Sequence, residues 1–384
     1  MSETNETTCP LGCDYLGHDT PKLGFGLMRL PKVSTEPDAA IDVAQTSQMV
    51  DEFLDAGFTY FDTAYVYAGS EEATAKALVQ RHPRESYTLA TKLFAGRAAN
   101  AGEAKAQFTT SLERTGAGYF DFYLLHNLGD ARTHKFEEYG LWDWAAEQKR
   151  AGLIRHLGFS MHATADQLDA VLTAHPEAEF VQLQINYADW DDVQVQSRLC
   201  YETALKHGKP VIIMEPVKGG LLANPPEKVA DVFKAADPRA SCASWALRFA
   251  ASLPGIVTVL SGMSDLAQLR DNLATFKSLK PLDAAGRAVL DRAQQAMASI
   301  DTVPCTNCHY CMAGCPEGIP IPNLLGVLNG YRIYERLDKA KGDYEWRAKD
   351  TKASDCISCG ACEEVCPQHL PIIDHLEECV QLFE

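Results

Sequence analysis

From residue 23 to about residue 276, short runs rich in β-branched and aromatic residues alternate with longer stretches whose apolar positions recur at helical spacing. The strand candidates are LGFGL (23–27), FTYFD (58–62), YTLAT (87–91), DFYLL (121–125), IRHLGFS (154–160), VQLQI (181–185), VIIME (211–215) and IVTVL (256–260). Between them run amphipathic segments such as TSQMVDEFLDAG, SEEATAKALVQRH, EAKAQFTTSLERTG and KFEEYGLWDWAAEQKRAG, several with Gly just past the last periodic residue, where helices end. Strands alternating with helices of this length read as βαβ units with parallel pairing. Eight of them in about 250 residues predict an α/β fold of the (β/α)8 TIM-barrel kind. The rival is a doubly wound open sheet, which would favour a glycine fingerprint after its first strand, and none is present. The pattern divides the chain into an N-terminal extension (1–20), the barrel (21–276), a helical connector (277–304) and a small, mainly helical C-terminal domain (305–384).

Charge and composition narrow the partners. The net charge of −17 argues against nucleic acid or an anionic membrane, which both require a basic face. No basic stretch followed by an apolar core opens the chain, and no apolar run approaches the roughly 20 residues that span a bilayer. The expected location is the cytoplasm. Disulfides do not persist in that compartment, so the 13 cysteines call for another explanation.

Eight of them form two tight groups, CTNCHYCMAGCP (Cys305, Cys308, Cys311, Cys315) and CISCGACEEVCP (Cys356, Cys359, Cys362, Cys366). Both fit C-x2-C-x2-C-x3-C-P, the run of bacterial two-cluster ferredoxins, in which the fourth cysteine of each run ligates the other cluster. That rule assigns Cys305, Cys308, Cys311 and Cys366 to one [4Fe–4S] cluster. Cys356, Cys359, Cys362 and Cys315 go to the second. Zinc is the rival for thiolates at this spacing, but it closes a site with four ligands, usually as two separated pairs. Cys200, Cys242 and Cys379 read as apolar fillers, as do Cys9 and Cys13, which have ligation of something extra as their alternative.

In a TIM barrel, functional groups gather where strands end at the C-terminal face. Asp62 ends the second strand, Lys92 follows the third and His126 the fourth, with Tyr67 five residues past Asp62. Taken singly, each has a bland reading as a cap, a solvated end or a core residue. Four at the ends of consecutive strands point to one site. Here the sequence resembles the aldo-keto reductases, through GFGLMRL, AGFTYFDTAYVY with GSEEATAKAL, TKL, YLLHN, GLIRHLGFS and VIIMEPVKGGLL in family order. The C-terminal clusters make it similar to the ferredoxin-fused branch of that family, found largely in anaerobes.

The resemblance implies an oxidoreductase that reduces a small carbonyl or related activated compound, with a tetrad of Asp62, Tyr67, Lys92 and His126. Tyr67 is the implied general acid, its phenol shifted toward neutrality by Lys92, which Asp62 holds; His126 orients the carbonyl. Tyr65 competes with Tyr67. The implied NAD(P)H site uses Ser160 and Gln182 for the carboxamide and 214–220, with Met214, Pro216 and Gly219, beneath the cofactor. Ser261, Gly262, Gln268 and Asn272 belong to the adenosine end. Three departures stand out. Met161 replaces an asparagine, with His162 the candidate substitute. Met214 replaces a stacking aromatic. Gly262 and Gln268 replace the cations that grip a 2′-phosphate, and Arg270 faces elsewhere, so strong NADPH preference is not expected. The clusters imply single-electron traffic, either into substrate or with a redox partner such as a ferredoxin or its reductase. The alternative reading is an electron-transfer protein whose barrel is a scaffold.

Overall fold

The computed structural model describes Leu16 and residues 20–34, 36, 39–129 and 133–384. Cys9, Cys13 and most of the N-terminal extension lie outside these residues. Eight parallel strands close a barrel in chain order: β1 Leu23–Gly26, β2 Tyr60–Asp62, β3 Thr88–Leu93, β4 Phe120–Leu128, β5 Ile154–Met161, β6 Phe180–Gln184, β7 Val211–Met214 and β8 Ile256–Gly262. Pairing of β1 with β8, from Leu23 opposite Val259 to Gly26 opposite Gly262, leaves no edge and rules out the open sheet.

Alternation along the strands sorts side chains onto two faces. Tyr60, Ala90, Phe122, Leu124, Phe180, Ile212 and Leu260 fill the barrel interior, together with Leu16. Their neighbours Phe61, Leu89, Tyr123, Val181, Ile213 and Val259 belong to the larger core under the helices. Gly158 makes room in the first layer. A Cβ there would lie 2.5 Å from the Phe180 carbonyl oxygen and 2.7 Å from its ring.

The helices follow local signals. Val43–Asp55 starts at Asp42, whose carboxylate accepts the Gln45 N–H at 2.9 Å. Ala101–Thr115 starts at Asn100 and stops at Gly116, which takes φ 67°. The amphipathic stretch KFEEYGLWDWAAEQKRAG is built on two helices, Thr133–Glu138 and Leu141–Arg150, with Gly140 at φ 59° between them.

The chain divides into two compact units, one running through Ala223 and including Arg239–Arg287, the other made of Asn224–Pro238 and Ala288–Glu384. The second unit is helical, with Ile321–Tyr334, Leu337–Arg347 and Ile372–Phe383 around a core that includes Ile319, Leu324, Leu328, Tyr344, Leu376 and Phe383. Cys379 is fully buried in this core, as a filler should be. No helix among the described residues is long and apolar enough to cross a membrane.

Candidate functional site

Polar side chains replace apolar ones where the inward-facing positions reach the strand ends. Asp62, Lys92, Ser160 and Gln182 are each at most 3% exposed. Lys92 Nζ donates to Asp62 Oδ1 at 2.5 Å and to the Thr63 carbonyl at 2.7 Å. It also stands 4.9 Å from the centroid of the Tyr67 ring. The half-buried Tyr67 ring meets His126 edge-on, with centroids 5.9 Å apart, and Phe94 covers another side of His126 at 5.8 Å. The structure therefore brings Asp62, Tyr67, Lys92 and His126 together.

Tyr65 is engaged elsewhere. Arg114 lies over its ring at 4.7 Å, donates to its carbonyl, and pairs with the buried Glu71 at 3.2 Å. Glu71 also accepts from Thr91, the neighbour of Lys92, at 2.8 Å. This carboxylate ties the loop carrying Tyr67 to the strand carrying Lys92. Sequence spacing gave no sign of it.

Burial dominates the proton energetics. Desolvation raises the pKa of Asp62, and Lys92 and Gln182 offset this only in part. Desolvation is the strongest single influence on the Lys92 ammonium and opposes it, yet Asp62 and Tyr67 together outweigh that and hold it above its ordinary value. Desolvation also raises Tyr67, against the lowering effect of Lys92. The expected shift of this phenol toward neutrality is not what the structure gives. Lys92 favours the phenolate, but it does not overcome desolvation together with the nearby Asp62 charge, both of which oppose charging the ring oxygen.

The expected nicotinamide residues are spread over β5 to β8 and the loops that follow. Ser160 sits opposite Gln182 in the β5–β6 register, and the Ser160 hydroxyl accepts the Asn127 N–H at 2.9 Å. Met214 ends β7, and Pro216 is buried in a loop where Glu215, Lys218, Gly219 and Gly220 all take positive φ. Asn272 donates to Ser261 at 2.7 Å, both buried. Gln268 is tied to the start of its own helix: the Asp265 cap accepts its backbone N–H and its side-chain amide at 2.8 Å each, and its Oε1 accepts the Ser264 N–H. His162 faces Gln184 at 3.3 Å and is exposed.

Two cations considered for this end are committed. Arg270 makes a two-pronged pair with Glu52, and Lys218 pairs with the buried Asp189. Arg29 was not singled out from sequence. Its side chain crosses Gly262, with three carbons 3.6–3.8 Å from where a Cβ would stand. Only barrel closure brings these two residues together.

In the second unit two cavities are each lined by four cysteines. One has Cys305, Cys308, Cys311 and Cys366, and the other Cys315, Cys356, Cys359 and Cys362. Among the described residues, no three His, Cys, Asp or Glu side chains converge on a single ion. Zinc gathers its four ligands on one ion, whereas a cubane spreads its four thiolates over four irons. The two loops share a backbone trace. Asn307 and His309 take positive φ between the first three cysteines, as Ser358 and Gly360 do in the second copy. Such reversals turn successive N–H groups into concavities that suit anionic clusters. The donor set and the backbone both fit iron–sulfur cubanes.

Residues 22–293 match the aldo/keto reductase family over most of the chain. The chain belongs to that family. Residues 304–370 match the 4Fe-4S dicluster domain, so this aldo/keto reductase is an oxidoreductase with an iron–sulfur domain behind its barrel. It is 28% identical over 255 residues to the aldo-keto reductase str7 of Strobilurus tenacellus, covering 64% of this chain and 72% of that one. It is 24% identical over 313 residues to the uncharacterized oxidoreductase YqkF of Bacillus subtilis, covering 72% and 94%. A 77-residue stretch is 32% identical to the acetyl-CoA decarbonylase/synthase complex subunit alpha 1 of Methanosarcina barkeri, which is 20% of this chain and only 8% of that one. Among solved structures, the Klebsiella pneumoniae aldo-keto reductase in complex with NADPH aligns with a TM-score of 0.57 at 22% identity, covering 71% of this chain and 90% of that one. This last likeness is one of fold.

Proposed function

We propose that this aldo/keto reductase reduces the carbonyl, or a related activated group, of a small molecule, with Tyr67 delivering the proton. The observation that carries the reading is the buried Lys92–Asp62 pair set against the Tyr67 ring, with His126 across it. As charge builds on the substrate oxygen, Tyr67 gives up its proton and Lys92 stabilises the phenolate left behind. Asp62 keeps the lysine charged and aimed. His126 sets the direction of the carbonyl.

The nicotinamide would be held by Ser160, Gln182, Met214, Pro216, Gly219, Ser261, Gly262, Gln268 and Asn272. The buried Gln182 Oε1 accepts from no described residue, which suits a ligand carrying an N–H donor. When bound, reduced nicotinamide supplies a hydride. Two [4Fe–4S] clusters in the cysteine cavities supply or accept single electrons and connect the chain to a redox partner such as a ferredoxin or its reductase. A location in the cytoplasm agrees with thiolate ligands kept reduced. A scaffold would have no use for a desolvated ion pair at a strand end, which is costly to bury. For that reason the enzyme reading is preferred to electron transfer alone.

The deciding experiment offers NADH, NADPH and reduced ferredoxin in turn, anaerobically, with a panel of aldehydes and ketones. Turnover that disappears in Tyr67→Phe supports the reading. Electron transfer to a partner protein with no substrate turnover under any donor would replace it with the scaffold reading.

A further inference from the structure

The two cysteine runs share one spacing, so their differences can be read position by position. Between its first three cysteines the first run carries Thr306, Asn307, His309 and Tyr310. The second carries Ile357, Ser358, Gly360 and Ala361 in the same places. Past the proline that closes each run stands Glu317 in the first and Gln368 in the second. The fourth cysteines cross over, so this last pair changes sides. Gln368 lines the cavity of Cys305, Cys308, Cys311 and Cys366, and Glu317 lines that of Cys315, Cys356, Cys359 and Cys362.

The two walls therefore differ in kind. Around the first cavity, Thr306, His309 and Gln368 bring hydroxyl and N–H groups in beside Leu325, Leu370 and Ile372. Around the second stand Ile319, Ile321, Ile357, Ile373 and Leu376. Apart from the thiols, the polar side chain among its described lining residues is the Glu317 carboxylate. A further carboxylate, Glu363, follows Cys362 directly and accepts the N–H of the lining residue Ile373 at 2.9 Å. A cubane becomes more negative when it is reduced. Hydrogen-bond donors ease that added charge, whereas apolar contacts and a carboxylate oppose it, and the potential follows.

We propose that the two sites hold their clusters at unequal potentials, lower at Cys315, Cys356, Cys359 and Cys362, so that electrons cross this domain in one direction. One electron moves from that site, which is oxidised, to the site of Cys305, Cys308, Cys311 and Cys366, which is reduced. A reduced ferredoxin refills the low site with one electron. The inference rests on the reading that both cavities hold [4Fe–4S] clusters. Glu317 and Gln368 are the residues that set the gap, and both are exposed, so their exchange leaves the core alone.

The test is an anaerobic potentiometric titration of the full protein, with the reduced clusters followed by electron paramagnetic resonance. The wild-type chain should reduce in two separate one-electron steps, and Cys308→Ser should lose the higher one. Glu317→Gln should raise the lower step and leave the higher in place. Gln368→Glu should lower the higher step alone, and the two substitutions together should narrow the gap. A single shared potential in the wild-type chain, loss of the lower step in Cys308→Ser, or a Glu317→Gln shift confined to the higher step would overturn the inequality and leave the clusters standing. Protein that holds no iron would overturn both.

Discussion

The ammonium of Lys92 and the carboxylate of Asp62 meet at 2.5 Å with both side chains shut away from solvent. The two partners are unequal. Lys92 is held charged, while burial already pushes Asp62 toward its neutral form. Asp62→Asn would strand a buried ammonium and should destabilise the protein by about 3–5 kcal/mol. Lys92→Met leaves a carboxyl that can keep a proton, and should cost less stability while still abolishing most turnover. Denaturant unfolding followed by far-ultraviolet dichroism checks the order. A milder effect from Asp62→Asn would contradict it.

Tyr67→Phe removes the proposed proton donor and keeps the ring. Turnover should fall by about 10²–10⁴-fold with little change in ligand affinity. Tyr65→Phe retains the ring beneath Arg114 and should be nearly silent. Steady-state kinetics of the two variants would show the wrong tyrosine has been chosen if the effects were reversed.

The raised pKa of Tyr67 has a pH consequence with a definite sign. A group whose pKa lies above its ordinary 10.0 keeps its proton at all lower pH values. Carbonyl reduction, which needs the protonated phenol, should therefore be level through neutrality and decline only above that value. Alcohol oxidation needs the phenolate and should climb with pH over the same range. A reductive rate that titrates away near pH 7 would mean the phenol is far more acidic than its surroundings allow.

Anaerobically purified protein should contain about eight irons and eight sulfides per chain. Cys308 lines only one of the two cavities, so Cys308→Ser should halve the iron and leave the barrel folded. Iron and sulfide assays with visible absorbance read this out. Stoichiometric zinc and a colourless protein would refute the cluster reading.

With Arg270 held by Glu52 and Lys218 by Asp189, the adenosine end should distinguish poorly between NADH and NADPH. Titration with both is the check. A hundredfold preference for NADPH would assign the phosphate to Arg29, and Arg29→Ala should then erase it.

Strand number, barrel closure and the four-cysteine sets were legible because each is written in local periodicity or spacing. The polar strand ends were legible for the same reason: Asp62 and Lys92 interrupt an apolar alternation at the face where barrels carry chemistry. What sequence concealed depends on contacts between distant segments. Glu52 and Arg270 stand 218 positions apart, and nothing near either one announces the other.

The interleaving of the two cysteine loops has a mechanical side. Once cubanes are in place, Cys311 and Cys366 share one cluster and Cys315 and Cys356 the other, which cross-links the chain twice around the helices Ile321–Tyr334 and Leu337–Arg347. Closing a loop of this size lowers the entropy of the unfolded chain much as a disulfide does, by a few kcal/mol per bridge. Iron and sulfide would thus serve as rivets where another protein uses cystines. Oxygen that dissolves the cubanes would be expected to loosen this domain as well as to stop its electron traffic.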